Sequence, residues 1–212
     1  ASCVCGEPFD ATHAMICPRG GFPTIRHNEV RDIVADLLTE VCSDVAVEPV
    51  LAPITGEVFL SASTNTANDA RADVRARGFW TRAQNAFFDV RVFHPDAASY
   101  KSKPVSDLLK QHERRKKSEY AERINNVDRG SFTPLVFTTA GCCAPECTAF
   151  IKRLCALLAT ADRPYAQLMA YVRCRLSFAL LRAAIMCIRG ARSAYHRPVN
   201  AMRELAIVES GL

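Results

Sequence analysis

The chain has 212 residues, 49% apolar and 23% charged, with 27 Lys/Arg against 22 Asp/Glu and ten Cys. This composition excludes wholesale disorder, a collagen-like fibre and a charged tail, and the length predicts one ordinary domain with at most a small appendage. Arg175, Arg182 and Arg189 interrupt the C-terminal apolar region, leaving no run of the ~18–20 residues that a membrane span needs. With no initiator Met and no secretory leader, the expectation is a soluble segment of a longer polypeptide, with no membrane partner.

Charge is unevenly distributed. Residues 1–69 carry three Lys/Arg against ten Asp/Glu, a local −7, whereas residues 70–130 carry fourteen against eight, a local +6. Residues 150–212 carry ten against three, +7. That asymmetry suggests a basic surface for a polyanion, nucleic acid first, against the plainer alternative of a solvated basic helix. The cysteines point to a reducing, intracellular compartment, because seven lie beyond residue 20, mostly in apolar periodic stretches where Cys acts as a small hydrophobe.

Residues 1–23 lack periodicity and hold Cys3, Cys5, His13 and Cys17 in the spacing Cys-x-Cys-x7-His-x3-Cys. So short a segment has no core, and four N/S ligands of this kind suit a closed, structural tetrahedral zinc site. Gly6, Gly20 and Gly21 supply the backbone freedom of a knuckle. Cys142, Cys143 and Cys147 are a poorer metal candidate, with no His nearby, and are expected to pack in the core.

From Thr24, apolar Val30, Ile33, Val34, Leu37, Leu38 and Val41 recur at helical spacing. VAVEPVL (45–51) reads as a strand, VFLSAS (58–63) as another candidate, and STNTAND (63–69) as an exposed loop. ARADVRAR (70–77) and AFFDVRVFH (86–94) alternate as strands, and residues 105–126 form a highly charged helix. A buried strand over 133–138, a helix from about Glu146 to Thr160 and a long helix from Tyr165 to Arg189 follow, with a weakly patterned tail from Ser193. Arg175, Arg182 and Arg189 draw a basic line along that last helix. The expected class is α/β, a mixed central sheet.

Asp73 and Asp89 stand inside these two alternating strands, where an unpaired carboxylate is costly. Two such groups can converge on one Mg²⁺ or Mn²⁺; the alternative is pairing with Arg71, Arg75 or Arg91. On the charged helix, Leu109, His112, Lys116 and Tyr120 share one face, while Arg114, Arg115 and Lys117 point elsewhere. With Arg123, these last three are the candidate nucleic-acid contacts.

Taken in order, the Cys/His spacing, RHNEVRD (26–32), EP (48–49), RAD (71–73), DV (89–90) and Lys116-x3-Tyr120 resemble one family. It is the restriction-like endonuclease domain that ends the polyprotein of site-specific non-LTR retrotransposons, with its preceding CCHC knuckle. The resemblance runs from Cys3 to about Phe137. It implies a PD-(D/E)-x-K nuclease core (α-β-β-β-α-β) over residues 24–140, a knuckle over 1–23 and a helical extension over 141–212. It also implies Asp73 and Asp89 as magnesium ligands, Lys116 as the catalytic lysine and Tyr120 as its companion. His27, Glu29 and Glu48 would be accessory groups near the metal. Two positions depart from the pattern: Ala72 replaces a usual Pro, and Arg91 occupies the usual strand-lysine position, where it is a further accessory candidate that could substitute in part for a lysine or pair with Asp73. The implied partners are DNA, element RNA and the reverse-transcriptase part of the same polyprotein, in the nucleus for a eukaryotic element. Two other readings stay open, a zinc-containing nucleic-acid-binding module with a degenerate nuclease core and a generic structure-specific nuclease or resolvase.

Overall fold

A computed structural model describes residues 2–54 and 70–190; the candidate strand over 58–63, the loop over 63–69 and the tail from Ser193 lie outside them. The chain forms α1 (Ala11–Ile16), α2 (Phe22–Thr39), β1 (Ser43–Val47), β2 (Val74–Arg77), β3 (Asn85–Phe93), α3 (Val105–Asn126), β4 (Ser131–Thr138), α4 (Pro145–Leu158) and α5 (Tyr165–Arg189). The result is a mixed α/β fold with one four-stranded sheet in the order β1-β2-β3-β4. β1 pairs antiparallel with β2 and β2 with β3, and β4 returns parallel to β3 after the α3 crossover. Pro134 sits within β4, an edge strand, the place in a sheet where a missing N–H is tolerated.

Strand alternation divides the sheet into two faces. Val74, Ala76, Phe88, Val90, Leu135 and Phe137 join Val30, Val34, Leu37 and Leu38 of α2, together with α4 and α5, in the main core. Phe79, Phe88 and Phe150 form its aromatic centre, with ring centroids 5.0–5.3 Å apart. The opposite face presents Phe87, Phe93 and Val136 to α3, which covers them with Leu108, Leu109 and Ile124. Asp89 lies between Phe87 and Phe93 on this second face, so α3 is the helix that must meet its charge.

Several boundaries differ from the sequence expectation. β1 begins earlier, at Ser43, and stops before Glu48, whose φ of 50° turns the chain out of the strand. β2 begins at Val74, which leaves Asp73 in a bend just ahead of the strand rather than inside it. The N-terminal segment is docked on the sheet domain: Ala14, Met15 and Cys17 are buried, and Arg26 Nη1 of α2 donates to the Met15 carbonyl at 3.1 Å. Of the cysteines, Cys147, Cys155 and Cys187 are buried in the packed interior, whereas Cys142 and Cys174 are exposed. Among the described residues no helix is long and apolar enough to cross a membrane.

Candidate functional site

Two sites emerge. In the first, a short N-terminal turn and α1 bring Cys3, Cys5, His13 and Cys17 together. Gly6, at φ 94°, closes the turn, with its N–H donating to the Cys3 carbonyl at 2.9 Å. Asp10 caps α1 by accepting from the His13 N–H at 2.7 Å, which places His13 and Cys17 on one helical turn. The four ligand atoms all lie within 4.8 Å of one another, so the group can hold a metal ion such as zinc. Cys3 Sγ is 3.7 Å from Cys17 Sγ, and Cys5 Sγ is 3.4 Å from His13 Nε2. A tetrahedral zinc, with Zn–S of ~2.3 Å and Zn–N of ~2.0–2.1 Å, sets S···S near 3.8 Å and S···N near 3.6 Å. The backbone N–H of Cys5, above all, holds the Cys3 thiol down at about 6, toward the thiolate that a metal needs.

The second site lies on the α3 face of the sheet. Register pairs Val74 with Phe88, so Asp73 and Asp89 approach across neighbouring strands. The Asp73 carboxylate is fixed at both oxygens: Oδ2 accepts the Val90 N–H at 2.6 Å, and Oδ1 is hydrogen-bonded to His27 Nε2 at 3.0 Å. Asp89 is 5% exposed, and Lys116 Nζ from α3 lies 3.1 Å from each of its oxygens. The ammonium hydrogen-bonds Oδ1; the buried Oδ2 receives no hydrogen bond. Burial, then the charge of Asp73, pushes the Asp89 carboxyl up to about 7, while Lys116 and His27 oppose the shift. Tyr120, one turn beyond Lys116, places its ring 5.1 Å from Nζ, and burial pushes its phenol up.

The arrangement therefore unites Asp73, Asp89, Lys116, Tyr120 and His27. It does not bring in the other accessory candidates. Glu29, two residues from His27 and so on another face of α2, accepts from Arg182 Nε at 3.0 Å and Nη2 at 2.6 Å. Glu48 pairs with Arg31. The alternative ion pairs for the two acids are not formed either: Arg75 bonds Asp44 at 2.8 Å, and Arg71 donates to the Glu48 carbonyl. Arg91 shares the Asp89 face, but its buried Nε has no hydrogen bond. The basic line on α5 is partly consumed internally, since Arg182 holds Glu29 and Arg175 lies 3.8 Å from Asp36. On α3, Arg114 and Arg115 are exposed, Lys117 pairs with Glu146 at 2.5 Å, and Arg123 turns inward to the Ala52 carbonyl at 2.6 Å.

Sequence reasoning placed His112 on the correct face of α3 but gave it no role. Its ring packs against Phe93, with centroids 4.4 Å apart, and its buried Nε2 has no hydrogen-bond partner. Burial, aided by Arg91, Arg115 and Lys116, lowers its pKa from 6.5 to about 4. A histidine held neutral in this way stabilises the fold above its unfolded pKa of ~6.5, and that contribution is lost as pH falls toward 4. Denaturant melts should show stability falling over this window by no more than about 3 kcal/mol, and His112→Phe should flatten the slope. An unchanged slope in the variant would assign the acid sensitivity elsewhere.

No protein-family model matches this chain, and no curated protein matches it.

Proposed function

We propose that the chain is a metal-dependent DNA endonuclease domain with a PD-(D/E)-x-K core, stapled at its N-terminus by a structural zinc. It nicks a target strand to leave a 3′-hydroxyl for primed reverse transcription by a retroelement. The observation that carries the reading is the buried Asp89 beside the half-buried Asp73 and faced by Lys116, with Asp89 Oδ2 lacking any hydrogen bond. The carboxylates of Asp89 on β3 and of Asp73 at the bend before β2 repel one another, and this pair, with Asp89 raised to about 7, is a donor set whose repulsion a hard divalent cation would relieve.

Asp73 and Asp89 would hold the cation, with Asp73 kept in one orientation by His27 and the Val90 N–H. When bound, Mg²⁺ or Mn²⁺ lowers the pKa of a water and offsets negative charge on the scissile phosphate. Attack of water oxygen on phosphorus with rupture of the P–O3′ bond yields a 3′-hydroxyl and a 5′-phosphate. Lys116, hydrogen-bonded to Asp89, places its ammonium where charge builds on the phosphate oxygens. Tyr120 limits the wandering of that ammonium by packing its ring alongside. Incubating the protein with supercoiled plasmid and Mg²⁺ should yield nicked circles; no product with either Mg²⁺ or Mn²⁺ would count against the reading.

Arg114 and Arg115, exposed on the helix that delivers Lys116, suit contact with DNA phosphates. Each phosphate contact contributes about −0.9 to the slope of log affinity against log salt. Arg114→Ala and Arg115→Ala should each weaken binding across sequences and lower the slope by about that amount. Fluorescence anisotropy at several salt concentrations checks this; slopes equal to the parent would remove these residues from the interface. DNA is the first partner, with element RNA and the reverse-transcriptase part of the same polyprotein as further partners.

A further inference from the structure

α5 has two apolar stripes. One, comprising Leu168, Val172, Leu176, Leu180, Ala183 and Cys187, is buried in the body of the protein. The other runs through Tyr171, Cys174, Phe178, Leu181, Ile185 and Ile188, at alternating steps of three and four residues. That is the spacing of a coiled-coil seam. All six side chains are exposed, Phe178 to 64% and Leu181 to 54%. Single exposed apolar residues are ordinary on a protein surface, whereas a continuous row of this kind marks an interaction face.

The flanks of the seam specify what it fits. Arg175, Arg182 and Arg189 each directly follow a seam residue and form a row on one side. Ala170, Ser177 and Ala184 each directly precede one, so the other side is small enough for a second helix to come close. The helix contains four Arg and no Asp or Glu. Its arginines already take carboxylates from a neighbouring helix, Glu29 and Asp36 of α2, yet the Arg182 side chain keeps 61% of its surface exposed. Arg189 is exposed at the end of the row.

We propose that this seam docks one amphipathic helix of a partner polypeptide, whose own heptad seam is flanked by Asp or Glu. A second copy of the chain would instead bring together two helices that carry only arginine charge, which like-charge repulsion disfavours. Residues 191–212 carry three Arg and two Glu and do not supply an acidic flank.

The test uses the full chain and a fluorescent helical peptide of roughly four heptads, Leu at the seam and Glu on both flanks. Repulsion between the Glu flanks keeps this peptide from pairing with itself at neutral pH. A twin carries Lys in place of Glu. The acidic peptide should bind saturably, and the Lys twin about tenfold more weakly or less. Phe178→Asp combined with Ile185→Asp, both at exposed positions, should reduce the affinity by a similar factor while circular dichroism and melting stay parental. Arg189→Glu should weaken the acidic peptide and not its twin. Absence of binding, equal binding of both peptides, or indifference to the double variant would overturn the proposal. So would sedimentation showing a dimer that the double variant dissolves, because the seam would then belong to a second copy.

Discussion

Lys116→Ala is expected to lower the cleavage rate on the order of 10²-fold, the loss typical of removing one preorganised donor from developing anionic charge. The ammonium touches both oxygens of a buried carboxylate, so its removal has a second consequence. Asp89 would lose the main group holding its carboxyl down, and burial together with Asp73 would raise it further above about 7. Lys116→Arg keeps the charge on a larger, planar head and should recover part of the rate. Lys117→Ala is the control: Lys117 pairs with Glu146 on another face of α3, and its loss should leave turnover near the parental value. Single-turnover rates at saturating DNA separate these cases. A Lys116→Ala protein that cleaves within about twofold of the parent would remove the lysine from the reaction.

Withdrawing zinc is expected to unfold residues 2–17 while the sheet survives. Structural zinc contributes on the order of 10–16 kcal/mol in isolated finger peptides, and this segment has no core of its own to replace it. The damage should reach the contacts the segment makes: Arg26 would lose the Met15 carbonyl, and Ala14 and Met15 would leave their buried positions. Cys17→Ser should reproduce the effect of a chelator, because Cys17 is buried at the end of α1 with its sulfur against Cys3. Hydrogen exchange before and after chelation should show fast amides confined to the N-terminal segment, the start of α2 and the end of α5. Protein purified without chelators that contains no zinc, or exchange unchanged by the chelator, would contradict the assignment.

Long, strongly periodic elements were legible in the amino-acid order. The residues of α3 and α5 stand out between Pro104 and Pro164 on one side and broken periodicity on the other, and both helices match their expected bounds. The Cys3, Cys5, His13 and Cys17 group was legible because residues able to share one metal ion recur at short spacings that sequence displays directly. The short strands were less so. ARADVRAR alternates on both sides of Asp73, and alternation carries no mark of where pairing with β3 begins, so Asp73 fell inside the expected strand instead of at the bend before it. Charge partners were the least legible. That Glu29 faces Arg182 and Arg123 faces Ala52 depends on how segments distant in sequence pack, and local spacing holds no record of that. Asp73 and Asp89 could be singled out from their strands, but the orientation of Asp73 by His27 is a property of the assembled fold.

The measurement that bears most directly on the site is a comparison of plasmid nicking and DNA affinity for the parent and Asp89→Ala, in Mg²⁺. Asp89 is the buried carboxylate on which Asp73, Lys116 and a cation would converge, so its loss would remove the proposed reaction and leave the exposed Arg114 and Arg115 in place. The expected result is no detectable nicking, with DNA affinity equal to the parent or tighter once a repulsive carboxylate is gone. Nicking by Asp89→Ala at the parental rate would show that cleavage takes place elsewhere on the protein.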